Sequence, residues 1–191
     1  MSLPGYKLDT QHRLFYEPIG NHGHTRVLLG DFAEKLTAKL LKGVRYRTDS
    51  RCEYCPDVTV LNQAGNKYFE VKAVGNTQQT FIYEGRLQKD LEFAQSHELY
   101  YVLWSHATNT SLCLDEYELM CWFLKCLKEV LIVPFSSMYE VAIKQPLTKL
   151  NSRYGHSDSN PVYGAGRRIP LKKIKEYVHQ SILIQLSDEL F

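Results

Sequence analysis

The run Leu99-Tyr100-Tyr101-Val102-Leu103-Trp104 offers no charged residue to either face that a strand would present. A strand without a polar face must be covered on both sides, which places it inside a sheet flanked by helices. At six residues it falls far short of the roughly 20 apolar residues needed to span a membrane. Val130–Phe135, the other strongly apolar stretch, is equally short. Met1–Thr10 contains Pro4, Lys7 and Asp9 where the apolar part of a secretory signal would begin. Five cysteines leave one over in any full pairing, which favours a reducing interior to a disulfide scaffold. The expectation is a single α/β domain over residues 1–191, cytoplasmic, with no membrane partner. With 44% hydrophobic and 23% charged residues, the composition is close to that of globular domains and argues against disorder and coiled coil.

Around that strand the chain divides into periodic segments. Met1–His24, with Pro4, Pro18, Gly5, Gly20 and Gly23, reads as an irregular arm with room for a short strand. Phe32, Ala33, Leu36, Leu40 and Leu41 predict an amphipathic helix over Asp31–Leu41, closed by Gly43 and with a start as early as Thr25. Val44–Thr48 suits a short strand. Asp57–Leu61 and Lys67–Val74 are β-rich and flank Asn62-Gln63-Ala64-Gly65-Asn66, a connection that suits a hairpin. Helical spacing returns over Glu84–Ser96 through Leu87, Leu91 and Ala94. Beyond Asn109 the spacing predicts a helix over Asp115–Leu131, a strand at Val141–Lys144, a loop over Asn151–Gly166 and a closing helix over Ile169–Leu186.

The net charge of +2 is unevenly spread. Lys35–Arg51 holds six basic residues against Asp49, giving +5, and Lys144–Lys175 holds eight against Asp158, giving +7. The remaining chain therefore carries −10. Two basic segments on an acidic body suit a polyanionic partner, although they also suit ordinary solvated faces. Several of the thirteen tyrosines fall in or beside these segments, among them Tyr46, Tyr54, Tyr154, Tyr163 and Tyr177.

The chemistry-bearing residues lie on the hairpin. Glu70 and Lys72 are two apart on one strand and share a face. Asp57, after Pro56, begins the partner strand, and an antiparallel return brings it beside Glu70. Paired carboxylates bind a hard divalent cation through oxygen. Such a cation acidifies bound water and offsets charge on a phosphoryl transition state, which a lysine can assist. The pattern fits metal-assisted phosphodiester hydrolysis. The competing account is a same-face Glu70–Lys72 pair that simply neutralises itself on an exposed strand.

At Pro56, Asp57, Glu70 and Lys72 the chain resembles the PD-(D/E)XK nuclease superfamily, which includes many restriction enzymes, Holliday-junction resolvases and RecB-like nucleases. The resemblance implies a restriction-endonuclease-like αβββαβ core over about residues 25–108, with a mixed central sheet flanked by helices and extra C-terminal helices. It implies Mg²⁺, or Mn²⁺, held by Asp57, Glu70 and the Val71 carbonyl, with Lys72 positioning or activating water. Gly30-x-x-x-Glu34 is similar to the first-helix glutamate that many members aim at the metal, while Asp31-x-x-Glu34 also fits a capping box. Gln79-x-x-x-Tyr83 is similar to a supporting motif of RecB-like members, and Gln78 could serve in place of Gln79.

DNA is the expected partner, and cutting both strands would imply a homodimer. Arg86 and Lys89 at the start of a helix, and Arg153, Tyr154, Arg167, Arg168, Lys172 and Lys173 in the basic extension over residues 144–191, are the candidate phosphate contacts. A DNA-binding module without cleavage would share the fold, but carboxylates facing a polyanion repel it unless a cation intervenes. A structural zinc site from Cys52-x-x-Cys55 with His22-x-His24 is the third alternative.

Overall fold

A computed structural model of the chain describes residues 6–8, 14–16, 23–45, 56–107, 116–149 and 165–177. Two short strands, β1 (Tyr6–Leu8) and β2 (Leu14–Tyr16), pair antiparallel within the segment expected to be mostly irregular. Helix α1 spans Gly23–Leu41. It begins two turns before Asp31, so Asp31 and Glu34 lie in its interior and cannot form a capping box. The helix ends where Lys42 adopts a φ of 51° and the Gly43 N–H donates to the Ala38 carbonyl at 2.8 Å. A Cβ on Gly43 would sit 2.8 Å from Val58 Cγ1 and 2.9 Å from the Thr59 carbonyl oxygen. Glycine therefore lets the chain turn directly onto the sheet.

The main sheet has five strands: β3 (Val44–Arg45), β4 (Val58–Val60), β5 (Lys67–Val74), β7 (Glu98–His106) and β8 (Leu127–Pro134), in the order β3-β4-β5-β7-β8. The β4–β5 hairpin falls where the asparagine- and glycine-bearing connection predicts it. β5 and β7 run parallel, joined by a crossover that contains α2 (Glu84–Ala94). All other neighbours in the sheet are antiparallel, so the sheet is mixed.

Strand alternation in β7 divides the core in two. Leu99, Tyr101 and Leu103 pack with Leu131 and Val133 beneath α2 and α4 (Phe135–Ile143). Val102 and Trp104 pack with Phe69, Val71 and Val130 beneath α1 and α3 (Glu116–Lys125). Burying each such side chain contributes roughly 1.5–3 kcal/mol before entropy is counted. The doubly covered strand anticipated from its apolar run is thus the centre of the fold.

A second sheet, all antiparallel, orders β6 (Gln79–Tyr83), β10 (Ala165–Pro170) and β9 (Leu147–Lys149). A short helix, α5 (Leu171–Tyr177), follows β10, and Ile174 joins the core on the α4 side.

Several expectations beyond Asn109 are corrected. The helix anticipated over Asp115–Leu131 stops at Lys125, and Leu127–Pro134 is a strand instead, because Val130, Leu131 and Val133 fill both faces of the sheet beside β7. Val141–Lys144 is not a strand. Phe135, Met138, Val141 and Ala142 share one buried face of α4 at helical spacing. Ile169 and Pro170 end a strand rather than open a helix, since β10 must pair with β6. Residues 178–186 of that expected helix, and residues 151–164 of the expected loop, lie outside the described residues. No described helix is long and apolar enough to cross a membrane.

Candidate active site

The β4–β5 register sets the site. Val58 lies opposite Phe69, so Asp57, one step earlier, comes level with Glu70. The Val71 N–H donates to Asp57 Oδ2 at 2.7 Å, which fastens the carboxylate to the middle of β5. Alternation along β5 turns Phe69 and Val71 into the core beneath α1 and leaves Glu70 and Lys72 on the α2 side. The Lys72 ammonium donates to Glu70 Oε1. Asp57, Glu70 and Lys72 therefore meet, as their spacing implies.

Their electrostatics are those of a crowded anion pair. Burial pushes the Asp57 carboxyl up to about 7, and the neighbouring charges of Glu70 and Glu34 push the same way against the opposing pull of Lys72. Burial disfavours the Lys72 ammonium, but Glu70 and Asp57 override it and hold its pKa above the ordinary lysine value. Lys72 is thus a persistent cation.

Glu70 has a second partner that sequence reasoning assigned elsewhere. Arg86, in the first turn of α2, donates from Nη2 to Glu70 Oε2 and from Nε to Asp90 Oδ1 at 2.9 Å. Asp90 is fully buried, and its other oxygen accepts from the equally buried Tyr101 hydroxyl. Arg86 was expected at a phosphate; in the structure its guanidinium lies against the carboxylate of the site. Asp90 and Tyr101 were not anticipated. A signal existed, because Asp90 sits three residues after Leu87 on the apolar face of α2, where an unpaired charge would be costly.

Glu34 lies on α1, across the sheet from Glu70, and accepts from Arg45 Nε at 2.8 Å and also from Arg45 Nη2. Asp31 shares the same guanidinium and accepts the Lys35 ammonium at 2.7 Å. Despite the upward effect of burial on Asp31, hydrogen bonds from Lys35 and Arg45 hold its pKa below the usual carboxylate value. Glu34 is near enough to act on Asp57 electrostatically but is engaged by Arg45. Among the described residues, no three His, Cys, Asp or Glu side chains converge as a ready-made metal cage.

Of the two glutamines considered, Gln79 is exposed on β6, whereas Gln78 turns inward. Gln78 adopts a φ of 51°, donates from Nε2 to the Gly75 carbonyl at 3.1 Å and accepts from the Ser105 hydroxyl at 2.8 Å. It ties the end of β5 to β7. Gln79–Tyr83 is a strand, so its one-turn helical spacing to Tyr83 does not exist.

The candidate phosphate contacts also separate. Lys89, Arg168 and Lys172 are exposed. Arg167 instead donates to Glu84 at 2.7 and 3.0 Å and to the Gln145 and Ile143 carbonyls at 2.6 and 3.2 Å. Lys173 reaches Gln145 Oε1 at 3.1 Å. Arg153, Tyr154 and the zinc candidates Cys52, Cys55 and His22 lie outside the described residues, and the backbone of His24 falls in α1. In comparisons with models of known protein families and with curated proteins, this chain matches none.

Proposed function

We propose that this chain is a divalent-metal-dependent nuclease of the restriction-endonuclease-like PD-(D/E)XK kind, acting on DNA. The observation that carries the proposal is the meeting of Asp57, Glu70 and Lys72 at one point of the β4–β5 hairpin. Support comes from the element order: α1, β3, β4, β5, α2 and β7 supply a helix, three strands, a helix and a strand around a mixed sheet, with one added strand, β6, between β5 and α2 that pairs in the second sheet.

The donor chemistry fits a hard cation. Two carboxylates share one end of a hairpin, and Asp57 is driven toward protonation by burial and by Glu70, the condition that a cation at the pair would relieve. Asp57, Glu70 and the Val71 carbonyl would hold Mg²⁺ or Mn²⁺, while Glu34, bonded to Arg45, would act on the ion through its charge rather than as a ligand. When bound, the ion supplies Lewis-acid charge at the phosphate and a more acidic water. Lys72, kept protonated by Glu70 and Asp57, orients water and donates to oxygen on which charge develops, and does not act as the base. Exposed Arg168, Lys172 and Lys89 supply cations for the nucleic-acid backbone.

The test is a cleavage assay on plasmid, linear duplex, single-stranded and branched DNA with Mg²⁺, Mn²⁺ or EDTA. Cutting is expected with either metal and not with EDTA, and Lys72→Ala is expected to lose about 100-fold or more in rate while remaining folded. Cleavage that survives EDTA, or a folded Lys72→Ala protein of undiminished rate, overturns the proposal. Salt-sensitive DNA association without nicking in either metal would establish a binding module instead.

A further inference from the structure

Glu70 is almost completely buried, yet each of its oxygens has a cationic donor: Lys72 on Oε1 and Arg86 on Oε2. A cation that used Glu70 would need one of these oxygens. Lys72 projects from the same strand and is required by the chemistry proposed above. Arg86 is built differently. Its Nε is anchored to Asp90, which is fixed in turn by Tyr101, and both of those residues are fully buried. The side chain of Arg86 itself is 30% exposed. Nε is thus held at a rigid point while Nη2 meets Glu70, on a side chain that solvent partly reaches. Such a guanidinium can turn about its anchored edge and exchange one oxyanion for another, since a phosphodiester and a carboxylate make the same charge-assisted bonds to arginine.

We propose that Arg86 is a displaceable counter-ion, which covers Glu70 in the nucleic-acid-free protein and releases it to the metal when a substrate phosphate takes the guanidinium. The inference rests on the nuclease function proposed above and adds an order to it, with nucleic acid and metal each raising the affinity for the other. It also separates two roles of opposite sign. If Arg86 were a fixed clamp that positions Glu70 for the metal, removing it would weaken metal binding. As a displaceable cover, its removal strengthens metal binding in the absence of nucleic acid.

The experiment titrates full-length protein with Mn²⁺, followed by electron paramagnetic resonance, with no nucleic acid present. The variant is Arg86→Met combined with Asp90→Asn, so that the Tyr101 hydroxyl keeps an acceptor and no buried charge is stranded. The variant is expected to bind Mn²⁺ about tenfold more tightly than the wild type. In EDTA, its affinity for a duplex oligonucleotide should depend less steeply on salt, by the loss of about one phosphate contact. Arg86→Gln, which retains a donor for Asp90, should move both readouts the same way and replaces the double variant if that does not fold. Equal or weaker Mn²⁺ binding, or an unchanged salt dependence, overturns the exchange. If neither the wild type nor a folded variant binds Mn²⁺, the metal-dependent function itself falls as well.

Discussion

Asp57 and His106 respond to pH in opposite directions within one window. Asp57 titrates near 7 in the folded chain, against 3.8 for an ordinary aspartate, so between those values the native state holds a proton that the unfolded state has lost. Its contribution is present at low pH and disappears as pH rises toward 7. His106 is buried against Phe123, and burial, aided by Lys128, lowers its pKa to about 4 from 6.5. Below 6.5 the unfolded state binds the proton first, so its contribution is present at neutral pH and is lost as pH falls toward 4. Each group changes stability by at most about 1.4 kcal/mol per pH unit, and in the metal-free wild type the two slopes oppose. Asp57→Asn, which keeps an acceptor for the Val71 N–H, should leave the His106 slope unopposed. Urea unfolding in EDTA at several pH values between 4 and 7 should then show stability rising more steeply with pH than in the wild type. A profile parallel to the wild type would mean that Asp57 does not hold its proton at the site. The carboxylate pair was legible from hairpin spacing, because a β-period of two and a short turn leave little freedom. Arg86 was not, since the face an arginine takes on a helix depends on which side of the sheet that helix covers.

At the scale of elements, legibility followed the uniqueness of each hydrophobic pattern. β5, β7 and the hairpin turn announce themselves through β-rich or uninterrupted apolar runs bounded by turn residues. Leu127–Pro134 does not: Leu119, Trp122, Phe123, Cys126 and Leu127 sustain a helical spacing into the strand, and only pairing with β7 breaks it. Gln79–Tyr83 is likewise a strand because β10 arrives from 83 residues beyond Glu84 to pair with it, a partner that no local window contains. Helix α1 is fixed to the sheet by a polar link between its interior and the central strand. The Trp104 indole N–H donates to the Thr37 hydroxyl at 2.8 Å, and that hydroxyl donates to the Ala33 carbonyl at 2.7 Å, all within the core. Thr37→Val preserves shape and leaves the indole N–H unsatisfied. It should cost about 1–3 kcal/mol, seen as a lower urea midpoint with an unchanged denaturant slope. A change below about 0.5 kcal/mol would show that packing rather than this link docks α1.

For the whole molecule, the two basic segments seen in the sequence do not act as uniform surfaces. Asp31 and Glu34 absorb Arg45, Glu129 takes Lys175 at 2.6 Å, and Arg167 binds the start of α2 to the end of α4. Charge that counts as basic along the chain is thus partly internal to the fold, which composition cannot reveal because the acids come from distant segments. Arg167 and Arg168 make the distinction testable, since alternation along β10 turns adjacent arginines to opposite faces. Arg167→Met removes four hydrogen bonds, two to Glu84 and two to backbone carbonyls, and should lower stability by about 1–3 kcal/mol. The salt dependence of DNA binding should be unaffected by it. Arg168→Met removes an exposed cation from the opposite face, where Phe81 is its cross-strand neighbour. Its stability should stay within about 0.5 kcal/mol of the wild type. Its DNA affinity should fall, with a salt slope shallower by roughly 0.9 if it meets one duplex phosphate. Lys172→Met should behave as Arg168→Met does. If Arg167→Met changes the salt slope and Arg168→Met does not, the nucleic acid approaches the α2–α4 side of the small sheet, and the assignment of its outer face to phosphate binding fails.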